Sequence, residues 1–564
     1  MVMSPEAYGV RSPEMRLILL LSTFVATVVR GQSLPGIEPR LPEALPAESL
    51  PRVQAGDQGS GDEVLAAPLR SVSLISKEGE ATTEIGRGLH IASSLPVPAP
   101  RTLAARLAPR LGKSLTGGGL ATLADEILIH FDEEGFPVVQ VEVPEQDLSK
   151  GDLKLRVQVG RIGELGLSRP KYGNPGLLEK GLRLKSGELV RRNEIDEQLA
   201  WYGRSVFRKP RLFVSPGAEP ATADFLIAFE ETKPWRVTTG YENSGPDLLG
   251  RDRFLLGVAG LTRNDHLIAW QGVVGMPASS LMAHALRWEI PFPAGHRLLQ
   301  LDAAYAEVLS RYVTGGIPVE SEGTSWSLGA AGKIPLPSAG AWRQHLVAGF
   351  EVKGTDQFLL YGGGSLSPGE VVLFHGKLGH DLTRTWENGS ATFESALLAA
   401  PGGFGGNNKD SAFKAYDPDA DASYLIGRMS GDAWWSPGAD WQLHLRGAAQ
   451  IADSRLLPVE QFAAGGYQTV RGVSEREYSA DCGWQTSFEL LSPAISPVEG
   501  SGFRVLAFFD YAGLENRRGT SSSVSGAGLG LRMKVTDYVD LRFDHGWRLD
   551  EAENRSHFGL SLNF

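Results

Sequence analysis

From Trp235 to Phe564 the chain consists of short segments in which apolar and polar residues alternate. It ends in His557-Phe558-Gly559-Leu560-Ser561-Leu562-Asn563-Phe564. Strict alternation describes a strand with one apolar and one polar face. In Val539-Asp540-Leu541-Arg542-Phe543-Asp544 the apolar residues take one face and the charges the other, and Leu346, Ala348, Phe350 and Val352 do the same against His345 and Glu351. Sixteen candidate strands start near Arg236, Asp252, His266, His284, His296, Thr324, Trp342, Val371, Gly389, Ala422, Asp440, Gly483, Phe503, Ser523, Tyr538 and His557. No stretch reaches the roughly twenty apolar residues of a membrane helix. A soluble sandwich also alternates, but it does not normally line up so many strands. The pattern predicts a closed antiparallel transmembrane barrel, apolar to lipid and polar to lumen.

Loop lengths give an independent check. The connections Thr262 to Asp265, Pro291 to Gly295, Pro335 to Ala341, Ser436 to Ala439 and Val535 to Asp537 are short and follow even strands. Those after odd strands include the longer Leu309 to Gly323, Thr355 to Glu370 and Pro401 to Asp421. Short periplasmic turns and long outer loops are expected of this barrel class.

One long connection stands apart. Leu457 to Leu490 lies between two alternating segments and holds Gly465-Gly466 and an isolated Val470-Arg471-Gly472. A loop of about thirty residues is usually functional or disordered. An Arg beside a turn glycine is, by itself, most simply a solvated surface charge. Further on, Phe508-Phe509-Asp510-Tyr511-Ala512-Gly513 reads as a strand end whose Asp could receive a folded-in Arg. In a narrow barrel such a charged bond is stronger than in water and would pin the loop against its entropy.

Upstream of the barrel the texture differs. Residues 1–31 read as a signal peptide, with Arg16 before an apolar run from Leu17 to Val29 and a cleavage site at Val29-Arg30-Gly31. Met15 is the expected start. Residues 32–68 are rich in Pro, Gly, Glu and Ala and read as a linker, in which Asp62 to Ala67 could begin a short helix. Residues 69–161 carry a strand at Val72 to Ile75 and helical spacing over Arg101 to Leu111 and Leu120 to Glu134. Gly135 serves as the helix stop, and strands follow at Val138 to Val143 and Leu153 to Val159. Residues 162–234 repeat the order: a strand from Ile162, helices Asn174 to Gly181 and Arg192 to Tyr202, then strands Leu212 to Val214 and Asp224 to Glu230 about a Ser215-Pro216-Gly217 turn.

The Val470-Arg471-Gly472 loop, the Phe508-Phe509-Asp510 strand and the terminal Phe564 resemble the outer-membrane insertase and transporter superfamily. More closely, the chain resembles the two-partner-secretion transporters (TpsB, the haemolysin-activator and haemagglutinin-exporter type), from about residue 70 to the end. Gly135-Phe136-Pro137, Val143 to Leu148, Gly151 and Gly160-Arg161-Ile162 resemble the first POTRA module of that family, and residues 162–234 a second. The resemblance implies a 16-stranded β-barrel at 235–564 preceded by two β-α-α-β-β POTRA domains at 69–161 and 162–234. It implies that Arg471 enters the lumen and bonds Asp510, with Glu489 as a second acceptor. Phe564, Leu562 and Phe558 would form the signal read by the barrel-assembly machinery. Two positions depart from the family: Val473 replaces an aromatic, and Ala512 a glycine, which bears on how the loop packs. The implied function is export of an unfolded, TpsA-like partner exoprotein bound at the POTRA domains, in the outer membrane. Periplasmic chaperones would attend biogenesis and a monomer is expected. The alternative is a factor that inserts other barrels.

Other motifs carry less. The net charge of −11 argues against a nucleic-acid partner. One cysteine, Cys482, excludes an internal disulfide framework and reads as a small loop residue. Asp417-Pro418-Asp419-Ala420-Asp421 begins like a calcium loop but has Ala422 and Arg428 where Gly and Glu belong, so a solvated outer loop is expected. His375, His380 and Asp381 lack metal spacing, and Gly362 to Gly364 and Gly402 to Gly406 lack a phosphate-cradling context. Trp434, Trp435, Trp441 and Trp547 fit an interfacial girdle. No catalytic constellation, cofactor or metal is expected.

Overall fold

The computed structural model describes Gly61 and residues 64–564, apart from 87, 315, 316, 362, 363 and 499. The signal peptide, its cleavage site, the expected start at Met15 and most of the linker lie outside the described residues. The chain divides into two units that meet between Thr232 and Lys233.

In the N-terminal unit a five-stranded sheet runs, edge to edge, Thr82–Gly86, Leu89–Ala92, Ser71–Ile75, Asp152–Val159 and Val139–Glu142. Helices Pro100–Leu107 and Gly117–Glu133 cover one face. Thr116 caps the second helix, its hydroxyl accepting from the Gly119 N–H at 3.1 Å. Gly135 beyond its end has φ +91°, the left-handed conformation that closes helices. Leu74, Leu103, Leu123, Ile127, Phe131, Leu153 and Leu155 make the dry core. The hairpin of Thr82–Gly86 and Leu89–Ala92 was not expected from the sequence, because Thr82-Thr83-Glu84 is polar on both faces of an edge strand. The segment read as the end of a linker with a possible helix is instead a strand, Val64–Pro68, paired with Ser114–Thr116.

A second sheet orders Arg161–Leu167, Thr222–Glu231 and Arg208–Pro216, with helices Pro175–Lys180 and Arg192–Tyr202. The expected turn at Ser215-Pro216-Gly217 sits later: Ser215 and Pro216 still pair with Asp224 and Ala223. Arg208 and Glu231 form a buried ion pair at 2.9 Å in this module.

The second unit is a closed antiparallel barrel of sixteen strands. They are β1 Trp235–Glu242, β2 Arg253–Leu261, β3 Leu267–Gly275, β4 Leu281–Phe292, β5 Arg297–Thr314, β6 Ile317–Ala339, β7 Trp342–Tyr361 and β8 Val371–Trp386. Then come β9 Gly389–Pro401, β10 Ser423–Gly438, β11 Trp441–Ala452, β12 Cys482–Leu491, β13 Gly502–Glu515, β14 Ser521–Thr536, β15 Val539–Arg548 and β16 Asn554–Asn563. A three-residue strand, Gly364–Leu366, adds to β7. β16 closes on β1 through five residue pairs, Thr238↔Asn563 to Glu242↔Gly559. Phe564 extends this seam, its N–H donating to Val237 O at 2.9 Å.

The faces of this barrel are inverted relative to a soluble protein. Ile268, Leu286, Phe350, Leu378, Leu445 and Phe543 point outward and are exposed, whereas Gln271, Lys353, His444, Gln450, Asp510 and Asp544 point inward and are buried. Only a lipid solvent makes that arrangement favourable, since water would leave a belt of bare hydrocarbon. Among the described residues no helix is long and apolar enough to cross a membrane; the strands do so.

Several expectations change. Leu309 to Gly323 and Thr355 to Glu370 are not open loops: β5, β6 and β7 extend through most of them, the β5–β6 ladder reaching Thr314↔Ile317. Backbone pairing continues wherever a neighbouring strand supplies partners, so alternation for lipid understates strand length. Pro401 to Asp421 contains a helix, Asp410–Tyr416. Cys482 opens β12 instead of lying in a loop, its thiol near the Ala452 carbonyl at 3.7 Å. Trp435, Trp441 and Trp547 are exposed as a girdle requires, but Trp434 turns inward and stacks on His444 at 3.7 Å.

Candidate functional site

The β11–β12 connection, residues 453–481, folds into the barrel. Its stem is tied where Arg455 Nη1 meets Asp481 Oδ2 at 3.1 Å and Nε meets Asp417 Oδ2 at 2.9 Å. Asp417, expected to be solvated, is therefore a structural acceptor, and Arg518 pairs with both it and Asp419. Above the stem a small hairpin forms between Phe462–Ala464 and Tyr478–Ala480. Gly465 and Gly466, with φ +108° and +97°, turn the chain, and Gly466 N–H donates to Val470 O at 3.1 Å.

That turn delivers Arg471 to the wall. Its guanidinium donates from Nε to Asp510 Oδ2 at 2.7 Å, from Nη2 to Asp510 Oδ1 at 2.8 Å and to Ser487 Oγ at 3.1 Å, and from Nη1 to Glu489 Oε1 at 2.5 Å. Its backbone N–H also reaches Asp510 Oδ2, at 3.0 Å. The guanidinium carbon lies 3.5 Å from the centroid of the Phe508 ring. Arg471 is 1% exposed and Asp510 fully buried. Each partner is an inward residue of β12 or β13, alternating with the outward Phe488 and Phe509. Asp510 sits in mid-strand, not at the strand end its sequence suggested.

The fork is saturated, and so are its partners. Glu489 also meets His444 Nδ1 at 3.1 Å, and Asp544 on β15, 3.6 Å from Nη1, is held by Arg532 at 3.0 Å. A buried charge is tolerable only when compensated in this way, and losing one partner costs about 3–5 kcal/mol.

Gly472 explains why the motif needs glycine. It has φ +96°, and a Cβ there would lie 2.9 Å from the Arg548 backbone nitrogen. On the wall, a Cβ at Gly546 would lie 2.6 Å from Gly472 N. Two backbones touch here without side chains between them. The departures Val473 and Ala512 do not loosen the loop: both are fully buried, packed with Val470, Phe462 and Leu514.

The proposed site residues thus fall in two groups. Val470, Arg471, Gly472, Asp510 and Glu489 converge. Phe558, Leu562 and Phe564 lie apart on β16 and at the seam, Phe564 exposed. The sequence did not single out Phe508, Ser487, His444 and Asp544 as site residues; only Phe508, two residues before Asp510 in Phe508-Phe509-Asp510, carried a local signal. His375 is a lumen residue bonded to Tyr424 at 2.8 Å, whereas His380, five residues on and so on the outer face beside Leu378, bonds Gln344 at 2.9 Å. Among the described residues no group of His, Cys, Asp and Glu is placed to hold a metal ion. A cavity of about 700 Å³ remains in the lumen, lined by Arg236, Glu242, Arg504, Arg532, Lys534 and Arg542 among others.

A lipid-facing barrel with a polar, loop-filled lumen and POTRA-like modules upstream defines an outer-membrane barrel of the insertase and transporter superfamily. A profile described as "Haemolysin secretion/activation protein ShlB/FhaC/HecB" matches residues 222–533, more than half of the chain, and one described as "POTRA domain, ShlB-type" matches residues 95–160. The chain belongs to this ShlB/FhaC/HecB family, the TpsB transporters. It is 23% identical over 459 residues to the outer membrane transporter CdiB of Escherichia coli O6:K15:H31, covering 75% of this chain and 72% of that protein. It is 28% identical over 117 residues to CdiB-2 of Burkholderia pseudomallei, covering 21% and 20%. The fold matches CdiB from Escherichia coli with a TM-score of 0.69 at 17% identity, covering 98% of this chain and 99% of that one. CdiB from Acinetobacter baumannii matches at 0.61 and 15% identity, covering 99% and 100%. The barrel lies in the outer membrane with the POTRA domains in the periplasm.

Proposed function

We propose that the chain is the translocation pore of a two-partner system. It would export an unfolded partner exoprotein that its POTRA domains recognise in the periplasm. Membership of the transporter family supports a pore, and the two sheets supply acceptor edges. Arg208–Pro216 is the edge strand of its sheet among the described residues, and its end exposes Phe213 and Val214. An extended client segment adding to such an edge gains main-chain hydrogen bonds along its length. Folding of the client outside would drive net export, since no nucleotide is available in the periplasm. Assembly of the barrel itself would rest on the assembly machinery reading Phe558, Leu562 and Phe564.

The observation that carries the mechanism is the Arg471–Asp510 clamp. It holds a loop across the space that a client must occupy, so the clamp acts as the gate. Arg471→Ala, in cells that make the partner, should cut secretion while the barrel still assembles and shows its heat-modifiable mobility. Unimpaired export by that variant would overturn the gating role.

A further inference from the structure

The clamp secures only the tip of the loop. Its ascending limb carries a second carboxylate, Glu460, that is fully buried. Oε1 accepts from Lys353 Nζ at 3.0 Å, and Oε2 accepts from Arg428 Nη2 at 2.7 Å. The Glu460 backbone carbonyl takes a hydrogen bond from Gln450 Nε2 at 2.8 Å. Lys353 is itself 1% exposed and also meets Glu351 at 2.9 Å.

These partners stand on β7, β10 and β11. Arg471 uses β12, β13 and β15. The two anchors share no residue and grip different sectors of the wall, so the loop crosses the lumen as a strap fixed at two places. A carboxylate buried with two cations holds its geometry tightly, because releasing it strands charge in a buried site. Contacts without shared partners contribute independently to holding the loop.

We propose that Glu460 is a second latch of the gate: with Lys353 and Arg428 it keeps the loop in the lumen when Arg471 lets go, so that opening requires both to release. This rests on the reading of the loop as a gate. It makes Glu460 a positioning residue and gives the client two sequential barriers instead of one.

The test is single-channel recording of the purified full-length protein in a planar bilayer. The variants are Glu460→Gln, Arg471→Ala and the double variant, each first checked for heat-modifiable mobility. Either single variant should leave the pore mostly closed, and the double should raise the open time on the order of tenfold above either. Lys353→Gln breaks the same bond from the wall side and should behave as Glu460→Gln does, alone and combined with Arg471→Ala, which covers a failure of Glu460→Gln to fold. A double variant no more open than Arg471→Ala would make Glu460 a passive strut and overturn the proposal. If none of the variants, Arg471→Ala included, changes the conductance, the gate itself is wrong and the latch falls with it.

Discussion

Asp510 receives three hydrogen bonds from one residue, Arg471, two from its guanidinium and one from its backbone N–H. The side chain of β13 thereby fixes both the charge and the backbone path of the loop. A bidentate fork on a carboxylate specifies orientation as well as energy. Lysine could supply the charge but not the fork. Asp510→Asn should weaken the lumen-bound state of the loop by about 3 kcal/mol or more. Arg471→Lys should recover little of it. Open time in bilayer recordings, with each variant combined with Glu460→Gln so that the second latch does not mask it, measures both.

Phe508 forms a shelf under the Arg471 guanidinium. A desolvated cation over a ring contributes about 2 kcal/mol. Phe508→Leu stays apolar and loses the ring face, with some loss of volume. In the Glu460→Gln background it should open the pore less than Asp510→Asn does, and an equal effect would show that packing, not the ring, matters there.

Gly472 touches the backbone of β15. Gly472→Ala adds a Cβ at a positive φ and a clash on top of it, at an expected cost of about 1–3 kcal/mol. Protease digestion of intact cells should cut the loop faster in this variant, while the barrel stays resistant.

Leu445 projects from the middle of β11 and is exposed on the outer face. Leu445→Arg should destabilise the barrel in vesicles by about 2–4 kcal/mol, the cost of a cation at the bilayer midplane. The urea midpoint of reconstituted protein reports it. No shift would place this face away from lipid.

Glu231 closes the second POTRA-like module, pairing with Arg208 and accepting from the Tyr172 N–H at 2.9 Å. Glu231→Gln removes a buried charge that Arg208 meets at 2.9 Å and should destabilise the module by about 3 kcal/mol or more. Urea unfolding of the N-terminal unit, which packs its own core, should show the loss.

How much of this was legible in the sequence differs between its levels. Alternation determined the faces: whenever apolar residues such as Leu541 and Phe543 interleave with Asp540, Arg542 and Asp544, one side meets lipid and the other the lumen. Strand starts followed within a few residues at most positions. The start of β6 fell earlier, at Ile317, because its outer half pairs with β5 beyond the region where lipid imposes a pattern. The Val470-Arg471-Gly472 motif pointed to Asp510 through a family likeness, and local sequence could carry that much.

What the sequence could not decide was who meets whom across the lumen. Alternation says that Lys353, Arg428 and Glu460 turn inward or lie in a loop, but not that they touch. Closure of the ring, the tilt of its strands and the path of one loop bring together residues that are distant in the chain. Trp434 meets His444 for a more local reason: it neighbours the outward Trp435 on one strand, so alternation turns it inward, and His444 is its direct partner across the β10–β11 ladder. Periodicity is a local property of backbone geometry and is written along the chain, whereas charge pairing in a closed barrel depends on the stagger of all the strands at once and exists only when the ring is complete.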